Sequence, residues 1–595
     1  MAQKETSSKS RRWLGLSGAA VLVANLVLTG TTIAFQQEGE VNHALGIEGA
    51  GASYGGTEFS ADGSLSDASY EKYIEAAYQF CEQEEEEGSV LLYNRNNALP
   101  LSESERNVTV FGRGSIDPVF RSTAGGSSTN PDYQKTPVDA LQDAGFNVNQ
   151  TVLDAYASAE APKERSVSSV GEYDPALFTG SVTDSFASYG DVAFVTLSRF
   201  ATEGNDLAMV NDKGKRMLEL DDNEKAIFQQ IKDSGKFKKT VVLLNSVFAM
   251  EMDWLDEYNV DAVLWVGNPG FYGMPGAIRV VTGEVNPSGH TTATFAANSL
   301  SAPSAENFGL HAYNYGSKTP RAAGDSFVSY NEGIYVGYRY YETRYEDTIL
   351  GQGNADSAVG TKASTDGWNY AEEVCFPFGY GLSYTTFEYS DLEISPKVIT
   401  PDQKATVRLK VTNTGKRAGD EVVQLYTRDI LSSITTYEKN LAGFERIRLK
   451  PGETKEVTFT LDRKHLELLN ADMKWIVEPG EFAIMAGASS EDIRLNGILT
   501  VEDYRSRLHA LESQKPVSPV TASTDMENAP NVLDGKISTV WQGNKGDYIT
   551  FALKNGAKVD EVSIAFKRDN KLPAEFEIQL SGGGGQFLTV YSGTV

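Results

Sequence analysis

Cysteine and histidine are scarce in this sequence, which has two cysteines, Cys81 and Cys375, and five histidines. Two thiols cannot make a disulfide framework or a thiolate metal site, so two free buried thiols are predicted rather than a bridge. The histidines stand singly, without the i, i+4 spacing that places two imidazoles on one helix face. Metal-dependent chemistry therefore has little support, and no cofactor is expected.

Positive charge is also in short supply, with 53 Lys and Arg against 81 Asp and Glu and a formal net charge of −28. Such a surface repels phosphate backbones, and no basic stripe interrupts it, so nucleic-acid binding is excluded. Apolar residues are not lacking, because 40% of the sequence is hydrophobic, and this content excludes a disordered chain. A chain of 595 residues is expected to form about three or four domains.

One long stretch, residues 13–35, has no charged residue. Its 23 residues could cross a hydrocarbon core of about 30 Å as a helix, so a transmembrane anchor is favoured. The basic residues before it predict that 1–12 is a cytoplasmic tail and that the body, after a linker over 36–75, lies outside the cell. A cleaved signal peptide is the alternative, although its apolar core is usually about 7–15 residues long. The predicted location is therefore the cell membrane, single-pass, or the exterior after cleavage.

Residues 76–387 alternate short apolar runs with amphipathic stretches, a pattern that predicts an α/β sandwich with a mostly parallel sheet. Asp221 and Glu224 form a capping box that predicts the start of one helix, and Gly235 suits its end. The inner face of this helix is predicted to carry Ala226, Ile227 and Ile231. The predicted buried strands are Val108–Phe111, Val192–Leu197, Thr240–Leu244 and Ala262–Val266.

Residues 388–504 change character, because short alternating strands are separated there by turn signals. This pattern predicts a β-sandwich of immunoglobulin or fibronectin III-like type, with strands at Val407–Val411, Val422–Tyr426 and Val457–Leu461. After a linker over 505–520, residues 521–595 carry further strand-like runs and predict a third, all-β module. The chain stops within that module, so a fragment of a longer protein is expected.

Five strings in the α/β region are Glu87-Gly-Ser-Val-Leu-Leu-Tyr-Asn94, Leu264-Trp-Val-Gly-Asn-Pro-Gly270, Gly283-Glu-Val-Asn-Pro-Ser-Gly289, Tyr330-Asn-Glu-Gly-Ile-Tyr-Val-Gly-Tyr-Arg-Tyr340 and Phe376-Pro-Phe-Gly-Tyr-Gly-Leu-Ser-Tyr384. In this order they resemble the carboxy-terminal α/β-sandwich domain of glycoside hydrolase family 3, of the β-glucosidase type. The β-region is similar to that family's fibronectin type III-like domain, through Asn413-Thr-Gly415, Gln424-Leu-Tyr426 and Trp475-Ile-Val-Glu-Pro-Gly480.

Glu203 lies on a polar loop after the predicted strand 192–197, at the place where open α/β sheets bind ligands. The string Arg199-Phe-Ala-Thr-Glu203-Gly-Asn-Asp206 resembles the family's acid/base loop. The resemblance implies that Glu203 donates a proton to the glycosidic oxygen and then serves as base for water. It also implies that Arg199 and Asp206 shape this substrate loop. For an isolated Glu-Gly pair, a solvated loop glutamate would be the simpler interpretation.

A retaining glycosidase needs a second carboxyl group about 5–5.5 Å from the first, as nucleophile. In family 3 this Asp lies in a Ser-Asp-Trp/Ala motif of a separate (β/α)8 barrel. Ser66-Asp67-Ala68 is the only match here, and it follows a polar segment rather than a buried strand. No series of eight strand–helix units remains to form a barrel. The order of domains resembles permuted family members, so the barrel is expected downstream or in trans, and the chain is expected to be catalytically incomplete.

Two further motifs lie outside these regions. Gly125-Gly-Ser-Ser128 lacks the Lys-Ser/Thr ending of a phosphate loop, so a structural or substrate-rim loop is expected. Asp534-Gly-Lys-Ile-Ser-Thr-Val-Trp541 resembles the opening of a discoidin (coagulation factor 5/8 type C) module, of which a part is present. Trp541 is expected in the core of that module rather than stacked on a sugar.

The sequence therefore predicts an exported, retaining β-glycosidase whose substrates are β-linked glucosides or xylosides, in the form of glycosides or oligosaccharides. No cofactor is needed, because both catalytic roles are carboxylate chemistry. The alternative is a surface-anchored, non-catalytic carbohydrate-binding or scaffold protein without a barrel. An in-frame barrel in the gene favours the enzyme, and a true stop codon after residue 595 favours the binder.

Overall fold

The computed structural model describes residues 67–120, 134–200, 202, 206–211, 213–306, 308–309, 311–312, 326–330, 332–345, 370–434, 436–502, 521–533, 539–551, 562, 564, 575–581 and 587–594. The predicted membrane segment 13–35, the Gly-Ser motif 125–128, Glu203 and the linker 505–520 lie outside these residues. Over the described ranges, no helix is both long and apolar enough to span a bilayer. The first described helix starts at Asp67, inside the predicted linker 36–75.

The α-helices within these ranges are α1 (Asp67–Gly88), α2 (Pro137–Asp143), α3 (Gln150–Ser158), α4 (Ser181–Ser185), α5 (Asp222–Ser234), α6 (Met274–Thr282), α7 (Pro303–Glu306), α8 (Tyr338–Tyr345) and α9 (Tyr370–Glu373). The strands of the α/β region are β1 (Val90–Asn94), β2 (Asn107–Phe111), β3 (Asn147–Val148), β4 (Val192–Ser198), β5 (Lys239–Asn245), β6 (Ala262–Trp265), β7 (Phe295–Ala296), β8 (His311–Ala312), β9 (Ser326–Phe327) and β10 (Val374–Phe376).

A six-stranded sheet forms the centre of the α/β domain, in the order β1-β6-β5-β4-β2-β3. The five strands from β6 to β3 are parallel, and β1 pairs antiparallel with β6 at the edge. The predicted α/β sandwich with a mostly parallel sheet is thus confirmed. Each of the four predicted strands is also confirmed, within one residue at either end.

Both faces of this sheet are buried, because successive side chains of a strand point to opposite faces. On one face, Val195 and Leu197 belong to a core that includes Phe228 of α5. On the other face, Phe194 belongs to a second core that includes Ile278 of α6. Covering by helices on both sides explains why these strands are continuous apolar runs rather than alternating ones.

The capping box of α5 is present as predicted. Asp221 Oδ1 accepts the N–H of Glu224, and Glu224 Oε2 accepts the N–H of Asp221, both at 2.8 Å. Gly235 ends the helix in the left-handed conformation, with φ of 56°. The box fixes the start of α5 at Asp221.

Two predictions about burial were wrong. Ala226 is exposed, and the inner face of α5 carries Phe228 instead, together with Glu224 and the predicted isoleucines. These buried positions follow the i, i+3, i+4, i+7 spacing of a single helix face, which Ala226 does not share. Cys81 and Cys375 are free, as predicted, but both are only partly buried.

The region after β10 is a β-sandwich, as predicted. Its strands are β11 (Phe387–Ser395), β12 (Val398–Ile399), β13 (Ala405–Asn413), β14 (Gly419–Asp429), β15 (Asn440–Leu449), β16 (Thr454–Leu461), β17 (Leu468–Leu469), β18 (Trp475–Ile476), β19 (Gly480–Gly487) and β20 (Ile493–Val501). They form a three-stranded sheet in the order β11-β13-β16 and a five-stranded sheet in the order β12-β20-β19-β14-β15. One buried core between the two sheets contains Val407, Leu409, Leu425 and Ile484.

The described residues after 521 form two antiparallel pairs, β21 (Thr521–Ala522) with β22 (Ile549–Thr550) and β23 (Glu575–Leu580) with β24 (Leu588–Thr594). Trp541 is partly buried and donates its indole N–H to the Thr524 carbonyl at 2.9 Å. The all-β character agrees with the prediction. The discoidin resemblance stays a prediction.

The α/β domain and the β-sandwich contact each other through residues of the sequence motifs that resemble glycoside hydrolase family 3. The Tyr338 ring in α8 stacks on Phe378, with ring centroids 4.5 Å apart, and its hydroxyl accepts the Leu441 N–H at 3.0 Å. Gln424 of β14 donates its amide N–H to the Gly379 carbonyl at 2.8 Å. These contacts join the two domains at the end of the α/β region.

Candidate functional site

The carboxyl ends of β2, β4, β5 and β6 lie at one edge of the central sheet, because these strands are parallel and adjacent. The loops that follow them are the ones that bind ligands in open α/β sheets. The predicted acid/base loop is the segment after β4. We define it here as the β4 loop, residues 199–219, which links β4 to the capping box of α5.

Asn245, the last residue of β5, joins three of these strand ends. It is fully buried, and its Oδ1 accepts the Val119 N–H at 2.6 Å and the Ser198 hydroxyl at 2.9 Å. Its Nδ2 donates to the carbonyls of Val119 at 2.9 Å and Gly267 at 2.7 Å. One amide therefore joins the loops that follow β2 and β6 to the end of β4.

Two glycines let the loop after β2 approach β4 closely. A Cβ on Gly112 would lie 2.5 Å from the Thr196 carbonyl oxygen, and one on Gly114 would lie 2.4 Å from Ser198 Oγ. Gly112 also has φ of +83°, a conformation that other residues rarely adopt. Backbone packing thus adds to the hydrogen bonds of Asn245 in fixing the start of the β4 loop.

Arg199 is the first residue of the β4 loop, and its side chain is completely buried. Its guanidinium forms a bidentate pair with Glu224, with N–O distances of 2.7 and 2.9 Å. The same group donates to the carbonyls of Ser198 at 3.0 Å, Met217 at 2.6 Å and Glu219 at 2.7 Å. All five N–H donors of the guanidinium are used within the protein.

Several buried carboxyl groups surround this arginine. Burial, followed by the negative charge of Glu224, raises the pKa of Glu172 to about 8 and that of Asp221 to about 6. Burial disfavours the charged form of Arg199 as well, but the charge of Glu224 prevails and raises the pKa of the guanidinium. The Arg199 guanidinium therefore keeps its positive charge in this cluster.

The returning part of the β4 loop is anchored by separate contacts. The Ala208 N–H donates to the Val167 carbonyl at 2.9 Å. Arg216 makes a second bidentate pair, with Glu251, at 2.7 and 2.8 Å. Glu251 also accepts the Ser299 N–H at 2.9 Å, which connects this end of the loop to the segment after β7.

The structure describes two of the three predicted site residues. Arg199 is enclosed and contacts protein groups, Asp206 is exposed, and Glu203 lies outside the described residues. Their roles therefore stay predictions. In the parts of the chain that the structure describes, no group of three or more His, Cys, Asp or Glu side chains could hold a metal ion.

Sequence reasoning missed two residues that organise this edge, Asn245 and the ion-pair role of Glu224. Asn245 carries a local signal, because it is a polar residue placed directly after a buried run. The sequence identified Glu224 as a capping residue. Its ion-pair partner, Arg199, lies 25 positions earlier, and no rule of sequence spacing connects the two.

Family models match both main domains of the chain. Residues 89–338 match the glycosyl hydrolase family 3 C-terminal domain, and residues 421–490 match a fibronectin type III-like domain. This chain carries the C-terminal domain of glycosyl hydrolase family 3. The resemblance of the sequence motifs to this family is thereby confirmed, and both matches lie within the predicted domains 76–387 and 388–504.

Curated relatives of this chain are named as a beta-glucosidase and a beta-xylosidase. Thermostable beta-glucosidase B of Acetivibrio thermocellus is 31% identical over 495 residues, which are 80% of this chain and 57% of the relative. A beta-xylosidase of Formosa agariphila is 30% identical over 412 residues, 68% of this chain and 47% of the relative. The chain thus spans about half the length of the curated relatives it matches.

Solved structures give the same result for the fold. Beta-glucosidase 3B from Thermotoga neapolitana, in complex with α-D-glucose, superposes with a TM-score of 0.57 at 30% identity. The match covers 72% of this chain and 54% of that protein. A beta-glucosidase from Paenibacillus barengoltzii gives a TM-score of 0.56 at 25% identity, over 75% of this chain and 46% of that protein.

Proposed function

We propose that this family 3 chain supplies the acid/base part of an exported, retaining β-glycosidase, with Glu203 as the acid/base. One observation carries the proposal: Glu203 lies in the β4 loop, five residues after the end of β4, within the span matched by the family model. That strand end is held by Asn245, Arg199 and the close glycine packing described above. Precise placement of a proton donor needs a rigid base of this kind.

The proposed reaction needs a second carboxylate as nucleophile. Glu203 would protonate the departing glycosidic oxygen while the nucleophile attacks the anomeric carbon, and the same Glu203 would then deprotonate the water that releases the sugar. The nucleophile would come from a (β/α)8 barrel, in the part of the relatives' length that this chain does not span. Asp206 would line the same loop.

Exposed apolar side chains support a partner domain for the α/β region. Tyr330 is 78% exposed and Val336 is 53% exposed, although both precede the tightly packed helix α8. Large apolar side chains grouped in solvent are typical of interaction surfaces. A barrel that covers this segment would complete the enzyme and bury both side chains.

The proposed substrates are β-linked glucosides and xylosides. They follow from the relatives, which are named as beta-glucosidases and, in one case, as a beta-xylosidase. Export is proposed from the uncharged stretch 13–35 and the basic residues before it. An extracellular location suits an enzyme that releases sugars from oligosaccharides outside the cell.

The direct test uses the complete gene product and 4-nitrophenyl β-glucoside and β-xyloside as substrates. Glu203→Ala should lower kcat by about 10²–10⁴-fold on these activated substrates, because no base remains to deprotonate the water that attacks the glycosyl-enzyme intermediate. Azide should restore part of the turnover and yield a β-glycosyl azide, since it needs no base to attack the glycosyl-enzyme intermediate. Glu164→Ala, which removes an exposed carboxylate outside the β4 loop, is the matched control and should leave turnover unchanged.

Two outcomes would reject the proposal. Unchanged turnover in Glu203→Ala would show that another group transfers the proton. A gene product that binds β-linked oligosaccharides but never hydrolyses them would favour the non-catalytic, surface-anchored binder.

A further inference from the structure

The guanidinium of Arg199 contacts both ends of the β4 loop. At the first end lies Arg199 itself, whose backbone N–H donates to the Asn245 carbonyl at 3.2 Å. At the other end its side chain holds the carbonyls of Met217 and Glu219 at 2.6 and 2.7 Å. A single buried side chain thus closes a loop of about twenty residues at its base.

Glu224 fixes the orientation of this guanidinium. Its two oxygens take one N–H from each terminal nitrogen, and Oε2 also accepts the N–H of Asp221 at the start of α5. A bidentate pair restricts the plane of the guanidinium, which a single point charge could not do. The remaining N–H groups then point at the loop carbonyls.

A loop of this length inside a packed domain needs such a closure. The described part of the β4 loop holds no more than isolated β-bridges, such as that between Val210 and Arg216, and long loops with so little regular structure are usually functional. Bringing their ends together costs conformational entropy, which the buried hydrogen bonds of Arg199 offset.

We infer that Arg199 is a positioning residue, locked by Glu224, that holds the two ends of the β4 loop together and thereby fixes where Glu203 is presented. The inference rests on the proposed acid/base role of Glu203. Arg199 cannot bind the substrate itself, since its side chain is completely enclosed and its donors are all used. Its effect on catalysis is exerted through the loop.

The first experiment uses the chain as it is and needs no activity. Arg199→Lys keeps the charge but cannot hold Glu224 and two carbonyls together, so amide hydrogen exchange in 206–211 and 213–219 should accelerate about tenfold or more. Exchange in β4 and β5 should stay as slow as in the parent chain. Lys439→Met is the matched control, because it breaks another buried ion pair far along the chain and should leave the β4 loop protected.

A double variant separates positioning from mere stability. Replacing both charges, as in Arg199→Met with Glu224→Gln, avoids an unpaired buried charge and should recover part of the unfolding free energy lost in Arg199→Met alone. It cannot restore the hydrogen bonds to Met217 and Glu219, so exchange in the loop should stay fast. Recovery of slow exchange in the double variant would overturn the inference.

The second experiment uses the complete enzyme. Arg199→Lys should lower kcat by about 10²-fold with little change in KM, because the acid/base is displaced while substrate binding is left intact. If loop exchange accelerates but kcat does not fall, the positioning role is rejected. If Glu203→Ala leaves turnover unchanged while exchange in the β4 loop still accelerates in Arg199→Lys, the acid/base proposal fails. The role of Arg199 in holding the two ends of the loop together then still stands.

Discussion

Lys439 Nζ lies 3.3 Å from Glu342 Oε2, in a contact where the lysine side chain is 6% exposed and the glutamate is fully enclosed. Lys439 immediately precedes β15 of the fibronectin III-like domain, and Glu342 lies in α8 of the family 3 domain. Glu342 Oε1 also accepts hydrogen bonds from the hydroxyls of Ser490 at 2.8 Å and Tyr370 at 2.7 Å. The two domains are therefore joined through a buried charge.

Lys439→Met should destabilise the chain strongly, because it leaves the Glu342 carboxylate buried without its cation. Loss of one partner of a buried pair costs about 3–5 kcal/mol. Urea unfolding should show this loss, and adding Glu342→Gln should recover much of it. The control is Lys410→Met, which breaks an exposed pair with Asp391 and should cost only about 0–1 kcal/mol. Equal losses in both variants would contradict the prediction.

Gly379→Ala should destabilise more than a matched glycine substitution elsewhere in the chain. Gly379 has φ of +77°, and a Cβ there would lie 2.0 Å from Gln424 Oε1 at the domain contact. Gly452 has a nearly equal φ of +74° with no atom within 4 Å of the added Cβ, so Gly452→Ala carries the backbone strain alone. Thermal unfolding should show that the free energy of unfolding of Gly379→Ala is about 1–3 kcal/mol lower than that of Gly452→Ala. Equal melting temperatures would show that Gln424 moves aside at no cost.

Glu85 should make stability depend on pH between about 4.5 and 8. Burial raises the pKa of this carboxyl from its ordinary value of 4.5 to about 8, and the Ser89 hydroxyl donates to it at 2.6 Å. The folded chain therefore holds a proton that the unfolded chain has released. The contribution of Glu85 to the free energy of unfolding is therefore complete below pH 4.5. It is lost as the pH rises toward 8, by up to about 1.4 kcal/mol per pH unit.

Glu85→Gln should remove this dependence, since an amide keeps an acceptor for Ser89 and has no proton to lose. The stability of the variant relative to the parent chain should rise from pH 5 to pH 8 in urea unfolding. Glu84→Gln, at an exposed position on the same helix, is the control and should follow the parent curve. Parallel curves for Glu85→Gln and the parent would refute the raised pKa.

The strands were predictable from sequence because their burial is local information. Runs such as Val192–Ser198 are covered on both faces, so every position is apolar or small and the run ends where the sheet ends. The helix start at Asp221 was predictable for the same reason, since a capping box is contained within four residues. Ala226 was misplaced because the helix face was assigned from residue type, whereas the rotation of α5 places Phe228 inward.

The organisation of the site was less predictable, because it depends on contacts between distant residues. The resemblance indicated that Arg199 shapes the loop, but its complete burial depends on Glu224 and on two carbonyl groups at the far end of the loop. The order of strands in the sheet, with β1 antiparallel at the edge, is likewise set by tertiary packing. Burial of an arginine runs against the usual preference of that side chain, so composition alone points the other way.

The amide of Asn245 has a consequence for anyone who would graft this loop onto another enzyme. Val119 and Gly267 lie in the loops after β2 and β6, and Ser198 is the last residue of β4, yet all three bind the same side chain. An insertion that displaced any one of them would strain the hydrogen bonds to the other two. Transplanting the segment that carries Glu203 would therefore require moving all three strand exits, with residue 245, as a single cassette.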